Sequence, residues 1–403
     1  MRISIIQPTR NNLKYLKWAY NAIRENQGDH IVEICVADDY SSDGTWEWCQ
    51  QVLAGGDTHF KCIRNEGPTR LGHTILYDRL INEVASYNIC MIYHADMYLC
   101  PGALDVIEKH IGPKKIVSLT RIEPPLHPPG PEKLLQDFGI EPEQFNEKGL
   151  LEFVDYTRQS FAGKTTEGIF APWAFMKSDF QEIGGHDPLY APQSKEDSDI
   201  FNRFQLNGVK FIQVWDGLVY HMTCRGSRFN PTLTNPGQNS PEWERQNVRS
   251  TRNFIRKWGH FVKHDSLMKP IIPPKYNVSF AIKHCSLDLL KALEPWCTTV
   301  YVENLDNLIT HYVAEEQPET KFNLSNKIHD YEDIKGGVVV YINGIRFTNA
   351  DFQYIAQLPE IIQNTNEIGS FELGNLKIEI TDLTEYQNQL IICKHSELLA
   401  KAS

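Results

Sequence analysis

No stretch of about 18 or more apolar residues occurs in the 403-residue chain, so no helix-spanning membrane segment is written in it. A secretory leader is not expected either, because after Arg2 the run Ile3–Ile6 meets Pro8 before an apolar region can build up. The C-x-x-C spacing is missing. Nine cysteines, an odd number, then suggest neither a disulfide framework nor a zinc ribbon. A reduced, cytoplasmic setting is the simplest expectation. Positive charge is also in deficit, with 40 Lys and Arg against 51 Asp and Glu. That balance speaks against a general nucleic-acid coat. What is present is ordinary globular composition, 41% hydrophobic and 23% charged, in a chain long enough for about two to three domains.

The charge is unevenly spread. Residues 276–403 carry nine Lys and Arg against eighteen Asp and Glu, leaving the first 275 residues close to neutral. Within those, residues 221–270 are basic, including Arg245, Arg249, Arg252, Arg256 and Lys257, the first four at a helix-like spacing that aligns much of the charge. Three proline clusters punctuate the chain: residues 124–131, residues 230–241, and Pro270, Pro273 and Pro274. The first reads as a rigid extended loop. The last coincides with the shift to acidic composition, so the expected division is a domain over 1–269, a linker over 270–275 and an acidic α/β domain over 276–403.

The periodicity predicts an open α/β sheet. A strand over Ile3–Ile6 is followed by a helix with Leu13, Leu16, Tyr20 and Ile23 on one face, then a strand over Ile34–Ala37. A further strand over Ile89–Tyr93 precedes a helix opened by Pro101. Ligands in such sheets bind beyond the carboxyl ends of the strands, which is where Asp38, Asp39 and Asp96 fall. In the acidic part, strands are expected near Val278–Ile282, Thr299–Val302 and Val338–Ile342. Helices are expected near Leu287–Leu293 and Phe352–Gln363, the latter with a capping box from Thr348 and Asp351.

Five segments in order, ISIIQPTRNNLKYLKWAYNAI, EICVADDYSSDGTWEW, YHADMYLCPGAL, IGGHDPLYAPQSKEDSDIFNRFQLNG and VYHMTCRGS, resemble the family 2 glycosyltransferases of the GT-A fold over roughly residues 1–265. The resemblance implies a Rossmann-like, mostly parallel sheet flanked by helices, with the C-terminal α/β domain outside it. It also implies a nucleotide-sugar donor, UDP-linked by preference, and a divalent cation, Mn²⁺ or Mg²⁺.

Its site residues carry over position by position. Asp39, with Asp38, would accept from the nucleotide base, and Pro8 and Thr9 would flank that base. Ala95 and Asp96 would face the diphosphate and its cation. The family's first acid there is replaced by His94, which with His221 completes the candidate ligand set. Gly184 and Gly185 resemble the loop beneath the donor sugar, and Arg225 and Arg228 would close over the diphosphate. Asp197 is the expected base for inverting transfer, with Glu196 against the acceptor; the pair also suits a helix start, with Ser194 and Asp197 as a capping box. Trp173 would either stack on an acceptor sugar or fill the core.

A hydroxyl acceptor follows from this chemistry, a glycan by default. A modified base in DNA, as in phage-encoded enzymes, is the alternative raised by the arginine stripe. A third possibility is a sugar-nucleotide-binding or scaffolding protein without catalysis, raised by His94. The acidic domain suits oligomerisation into homo-oligomers or acceptor recognition.

Overall fold

A computed structural model describes residues 1–226, 228, 238–303 and 305–393. The chain forms two compact units, one of Met1–Arg245, His264–Pro270 and Cys393, the other of Gln246–Lys263 and Ile271–Ile392. Backbone packing thus assigns Gln246–Lys263 to the second unit, where the proline-based reading puts the division at 270–275. No disulfide forms among the described residues. Among the described residues no helix is long and apolar enough to cross a membrane.

The first unit is built on strands β1 (Arg2–Thr9), β2 (Ile31–Asp39), β3 (Phe60–Asn65), β4 (Ile89–Ile92), β5 (Met97–Leu99), β6 (Lys115–Glu123), β7 (Lys133–Leu135), β8 (Thr165–Thr166), β9 (Trp173–Met176) and β10 (Lys210–His221). Their order is β3-β2-β1-β4-β9-β6-β10-β5, with β7 beside β6 and β8 beside β10. Strands β1 to β4 run parallel, as do β6 and β10, while β9 lies antiparallel between β4 and β6.

Every residue of β1 after Arg2 and of β2 after Ile31 is buried, as expected of parallel strands covered on both faces. Helix α1 (Leu13–Asn26) lays Leu16, Ala19 and Ile23 on them. Strand β1 runs on through Pro8 to Thr9, beyond the end that the proline suggests. The proline-rich stretch 124–131 is the irregular connection from β6 to β7. The remaining helices here are α2 (Thr45–Ala54), α3 (Gly72–Arg79), α4 (Ala103–His110), α5 (Glu147–Ser160), α6 (Lys177–Glu182) and α7 (Glu196–Leu206); α8 (Pro241–Trp258) begins in this unit.

The second unit has its own sheet of β11 (Val278–Lys283), β12 (Thr299–Val302), β13 (Ile328–Asp330), β14 (Val338–Asn343), β15 (Gly369–Leu373) and β16 (Leu376–Ile380). Their order is β13-β12-β11-β14-β16-β15, parallel from β13 to β14 and closed by an antiparallel hairpin. Phe280, Val300, Val340 and Ile378 centre its core. The Thr348–Asp351 capping box is present. The expected helix Phe352–Gln363 is instead two, Asn349–Ala356 and Leu358–Thr365. Pro359 is accommodated in the first turn of the second, where a missing N–H is harmless.

This unit consumes most of the arginine stripe. Glu294 is fully buried, with Arg256 Nη2 and Lys327 Nζ each 2.6 Å from its carboxylate and the Tyr312 hydroxyl donating at 2.6 Å. Arg252 reaches Glu316 at 2.7 Å and the Lys291 carbonyl at 2.7 Å, while Arg249 donates to the Glu319 carbonyl. Lys257 is also buried. Three of the four aligned arginines are therefore bound to acids and carbonyls of their own unit, which leaves the stripe less charge to offer a phosphate.

Burial opposes the charge on Glu294, but Lys327 and Arg256 outweigh it and hold the carboxyl well below the usual range. Glu294→Gln strands the buried Lys327 and leaves Arg256 with Glu316 alone, and is expected to destabilise this unit by about 3–5 kcal/mol, read from denaturant unfolding. A loss below about 1 kcal/mol would show that the cluster holds nothing together.

Candidate active site

A cavity of about 310 Å³ opens beyond the carboxyl ends of β1, β2, β4, β6 and β10. Pro8, Thr9, Asp39, His94, Ala95, Asp96, Asp197, His221 and Arg228 all line it, from six separate chain segments. The Thr9 hydroxyl is buried without a hydrogen-bond partner.

Asp39 ends β2 and is fixed on both oxygens. Oδ1 accepts from the Leu71 N–H at 3.0 Å and the Asn65 side chain at 2.7 Å; Oδ2 accepts from the Gly72 N–H at 2.9 Å. Gly72 makes this close approach possible. Its φ is +77°, and a Cβ would sit 2.1 Å from the Pro192 carbonyl oxygen. Asp38 faces away from the cavity: it is fully buried, accepts from the Ser41 N–H at 3.1 Å and lies 3.3 Å from Arg64 Nε. Its role is the strand-to-turn anchor, not the base contact expected of it.

Pairing of the strands brings His94, Asp96 and His221 together. Strand β5 begins just after Asp96 and pairs antiparallel with the end of β10, placing Met97 against His221. One ligand atom from each of the three side chains lies within 4.8 Å of the other two, with His221 Nε2 3.3 Å from Asp96 Oδ1. Two imidazole nitrogens and one carboxylate oxygen suit a first-row divalent ion such as Mn²⁺.

Strand β6 pairs parallel to β10, with Ile122 opposite Tyr220, so Glu123 falls beside His221. Its Oε1 is 2.7 Å from His221 Nδ1. Arg121 and Lys133 also hold Glu123, at 3.2 and 3.0 Å. Burial alone would suppress the charge of His221, yet Asp96 and Glu123 together push its pKa up to about 9. For Asp96 burial acts upward, and the neighbouring His221 reverses it and keeps the carboxyl low. Burial and the His221 charge depress His94 to about 4.

Asp197 reaches the cavity from the first turn of α7. The helix starts one residue later than the expected capping box places it, with Lys195 rather than Ser194 as the N-cap. Ser194 and Lys195 take left-handed φ values of 80° and 70°, and the Lys195 N-cap makes no side-chain capping bond. Burial raises the Asp197 carboxyl above its ordinary range against the pull of His186 and Arg121. Glu196 is buried beside it but is not part of the described wall, so direct contact with an acceptor is not supported. Its pKa is raised too, by burial and then by Asp197.

Three further expectations are corrected. Trp173 has no exposed surface; it packs in β9 against Phe175 and Phe201 with ring centroids 4.7 and 5.5 Å away, as a core residue. Gly184 and Gly185 lie off the cavity, where their positive φ values of 77° and 69° serve packing: the Gly185 carbonyl accepts from Arg203 at 2.6 Å, and a Cβ on Gly185 would meet Asp78 at 2.1 Å. Arg225 turns to the Ile140 carbonyl at 2.8 Å and to Glu141 at 3.4 Å. Arg228 alone of that pair lines the cavity, its guanidinium 4.4 Å from the Trp243 ring.

The wall also contains residues the sequence reading passed over, among them Arg10, Arg70, His73, Tyr77, Arg121 and Glu123. For Glu123 a signal existed. The β-branched-rich run with Ile116, Val117, Thr120 and Ile122 marks a strand, and Glu123 closes it.

Residues 4–183 match the model of Glycosyl transferase family 2, and the first unit therefore carries a domain of that family. The motif segments from Gly184 onward lie outside the matched residues. The architecture of the first unit is mixed α/β with a mostly parallel main sheet, and the second unit adds a sheet of its own. No curated protein matches the chain.

Solved structures resemble it distantly. The structure of GalNAc-T7 with UDP, GalNAc and Mn²⁺ is 14% identical, with 64% of this chain and 48% of that one covered at a TM-score of 0.46. The mannosyltransferase PcManGT from Pyrobaculum calidifontis, in complex with GDP-Man and Mn²⁺, is 16% identical, covering 66% of each chain at 0.42. TarS 1–349 of S. aureus is 16% identical, with 55% and 60% covered at 0.39. This chain thus spans about half to two thirds of their lengths.

Trp173→Ala is expected to cost about 3–5 kcal/mol of unfolding free energy, as for a deeply buried aromatic. A loss under 1 kcal/mol in denaturant titration would return Trp173 to the surface.

Proposed function

We propose that this protein transfers a sugar from a nucleoside diphosphate sugar, UDP-linked by preference, to a hydroxyl group of a glycan acceptor, with inversion at the anomeric carbon. The observation that carries the proposal is one cavity walled by Asp39, by the His94, Asp96 and His221 cluster, and by Asp197. These are the groups needed for a base, a diphosphate and an attacking hydroxyl.

His94, Asp96 and His221 would hold the divalent cation, which supplies neutralisation of the departing diphosphate's charge. Arg228 adds a cation on the same wall. Asp197 accepts the proton of the acceptor hydroxyl as its oxygen bonds to the anomeric carbon and the bond to the diphosphate oxygen breaks. Asp39, already holding three donors, offers a rigid edge to the base rather than a mobile one. The DNA-base reading loses its support with the arginine stripe.

Calorimetric titration of UDP, GDP and dTDP, with Mn²⁺ and then with chelator, tests the donor and the cation together. Metal-dependent binding of UDP above the others is expected. Binding of none would leave a domain without transferase function.

Asp197→Asn is expected to keep UDP affinity and lose about 10²–10⁴-fold in transfer rate. Transfer at the parental rate would remove Asp197 from the reaction. Because Asp197 works ionised and burial raises its pKa, kcat/KM should fall as pH drops through a value above the ordinary carboxylate range. A pH–rate profile flat down to about pH 4 would contradict that assignment.

A further inference from the structure

We infer that Glu123 is a positioning residue for the cation site: its carboxylate takes the Nδ1–H of His221 and so makes Nε2, which faces Asp96 and His94, the nitrogen that offers its lone pair to a bound cation. The inference rests on the proposed cation site.

A neutral imidazole has one N–H and one lone pair, and only the lone pair can bind a metal. Which nitrogen keeps it depends on the acceptor facing the other. Here Glu123 Oε1 is 2.7 Å from Nδ1, while Nε2 lies 3.3 Å from Asp96 Oδ1 within the three-residue cluster.

Glu123 is suited to act on His221 rather than on a ligand directly. It is 2% exposed, and both oxygens are engaged: Oε1 also by Arg121 Nη1 at 3.2 Å, Oε2 by Lys133 Nζ at 3.0 Å. Arg121 is braced in turn, its Nη2 2.9 Å from Glu132 and its guanidinium 3.9 Å from the Phe170 ring. The carboxylate therefore has one place to be, and the parallel register of β6 and β10 puts His221 beside it.

The test is Mn²⁺ binding to the whole protein without nucleotide, followed by electron paramagnetic resonance, with pulsed measurements of nitrogen coupling to count bound imidazoles. The native protein should bind Mn²⁺ with two imidazoles coupled. Glu123→Gln should weaken binding about 10–100-fold and lose one imidazole coupling. Glu123→Asp keeps the charge that Arg121 and Lys133 require, so it guards against misfolding; its shorter reach should produce the same loss of coupling. Native affinity with both imidazoles coupled in either variant would overturn the inference while leaving the cation site standing. Binding unchanged by Asp96→Asn, or absent from the native protein, would take down the site and the inference with it.

Discussion

His221 is gripped on both ring nitrogens, by Asp96 at 3.3 Å and by Glu123 at 2.7 Å, and the site is organised around that grip. The three residues belong to separate strand ends, so their meeting depends on sheet pairing and not on local sequence. Strand β6 beside β10 supplies Glu123; β5 folding back on β10 supplies Asp96. The backbone adds a further tie, since the Met222 N–H donates to the Asp96 carbonyl at 3.1 Å. A buried imidazole between two carboxylates is stable only with that charge balance, so removal of any member leaves the others short of a partner.

The rest of the cavity follows the same logic of strand ends fixed from behind. Asp39 binds two amides at the start of α3 and thereby joins the end of β2 to that helix. The left-handed glycine at position 72 is the condition for it, because any side chain would collide with Pro192. On the α7 side, two successive left-handed residues, Ser194 and Lys195, bring the chain into the helix that presents Asp197. Non-glycine residues in that conformation store strain, and they cluster where a side chain must be aimed.

Much of this was legible in the sequence, for identifiable reasons. Unbroken apolar runs such as Ile3–Ile6 and Ile34–Ala37 mark strands buried on both faces, and an acid directly after such a run has to lie at a carboxyl end. Asp39 and Asp96 were found in that way, while His221 and Asp197 were carried by family resemblance. Trp173 was ambiguous, because an aromatic residue between alanine and proline says nothing about which side of a sheet it enters. Gly184 and Gly185 were misplaced because glycine signals a close approach without identifying the approaching group, which here is protein. The arginine stripe failed on a similar point: its spacing fixes a shared helix face but not what that face meets, and Glu294 and Glu316 lie far along the chain. Glu123 closes a legible strand, but what it meets is not legible, because its partner is set by the register of β6 against β10.

The two acids that face one another in the proposed chemistry are driven in opposite directions by their surroundings. Asp96 is buried, yet His221 holds it in its charged form, as a cation ligand requires. Asp197 is half-buried in the cavity wall, and the desolvation it suffers there outweighs the pull of His186 and Arg121, so its proton affinity rises. A carboxylate that binds a metal must stay ionised, whereas one that removes a proton gains from a pKa nearer the working pH. Environments that separate the pKa values of two like groups also separate their roles. In the proposed chemistry, then, surroundings separate ligand from base: an imidazole that outweighs desolvation for Asp96, and desolvation that outweighs His186 and Arg121 for Asp197.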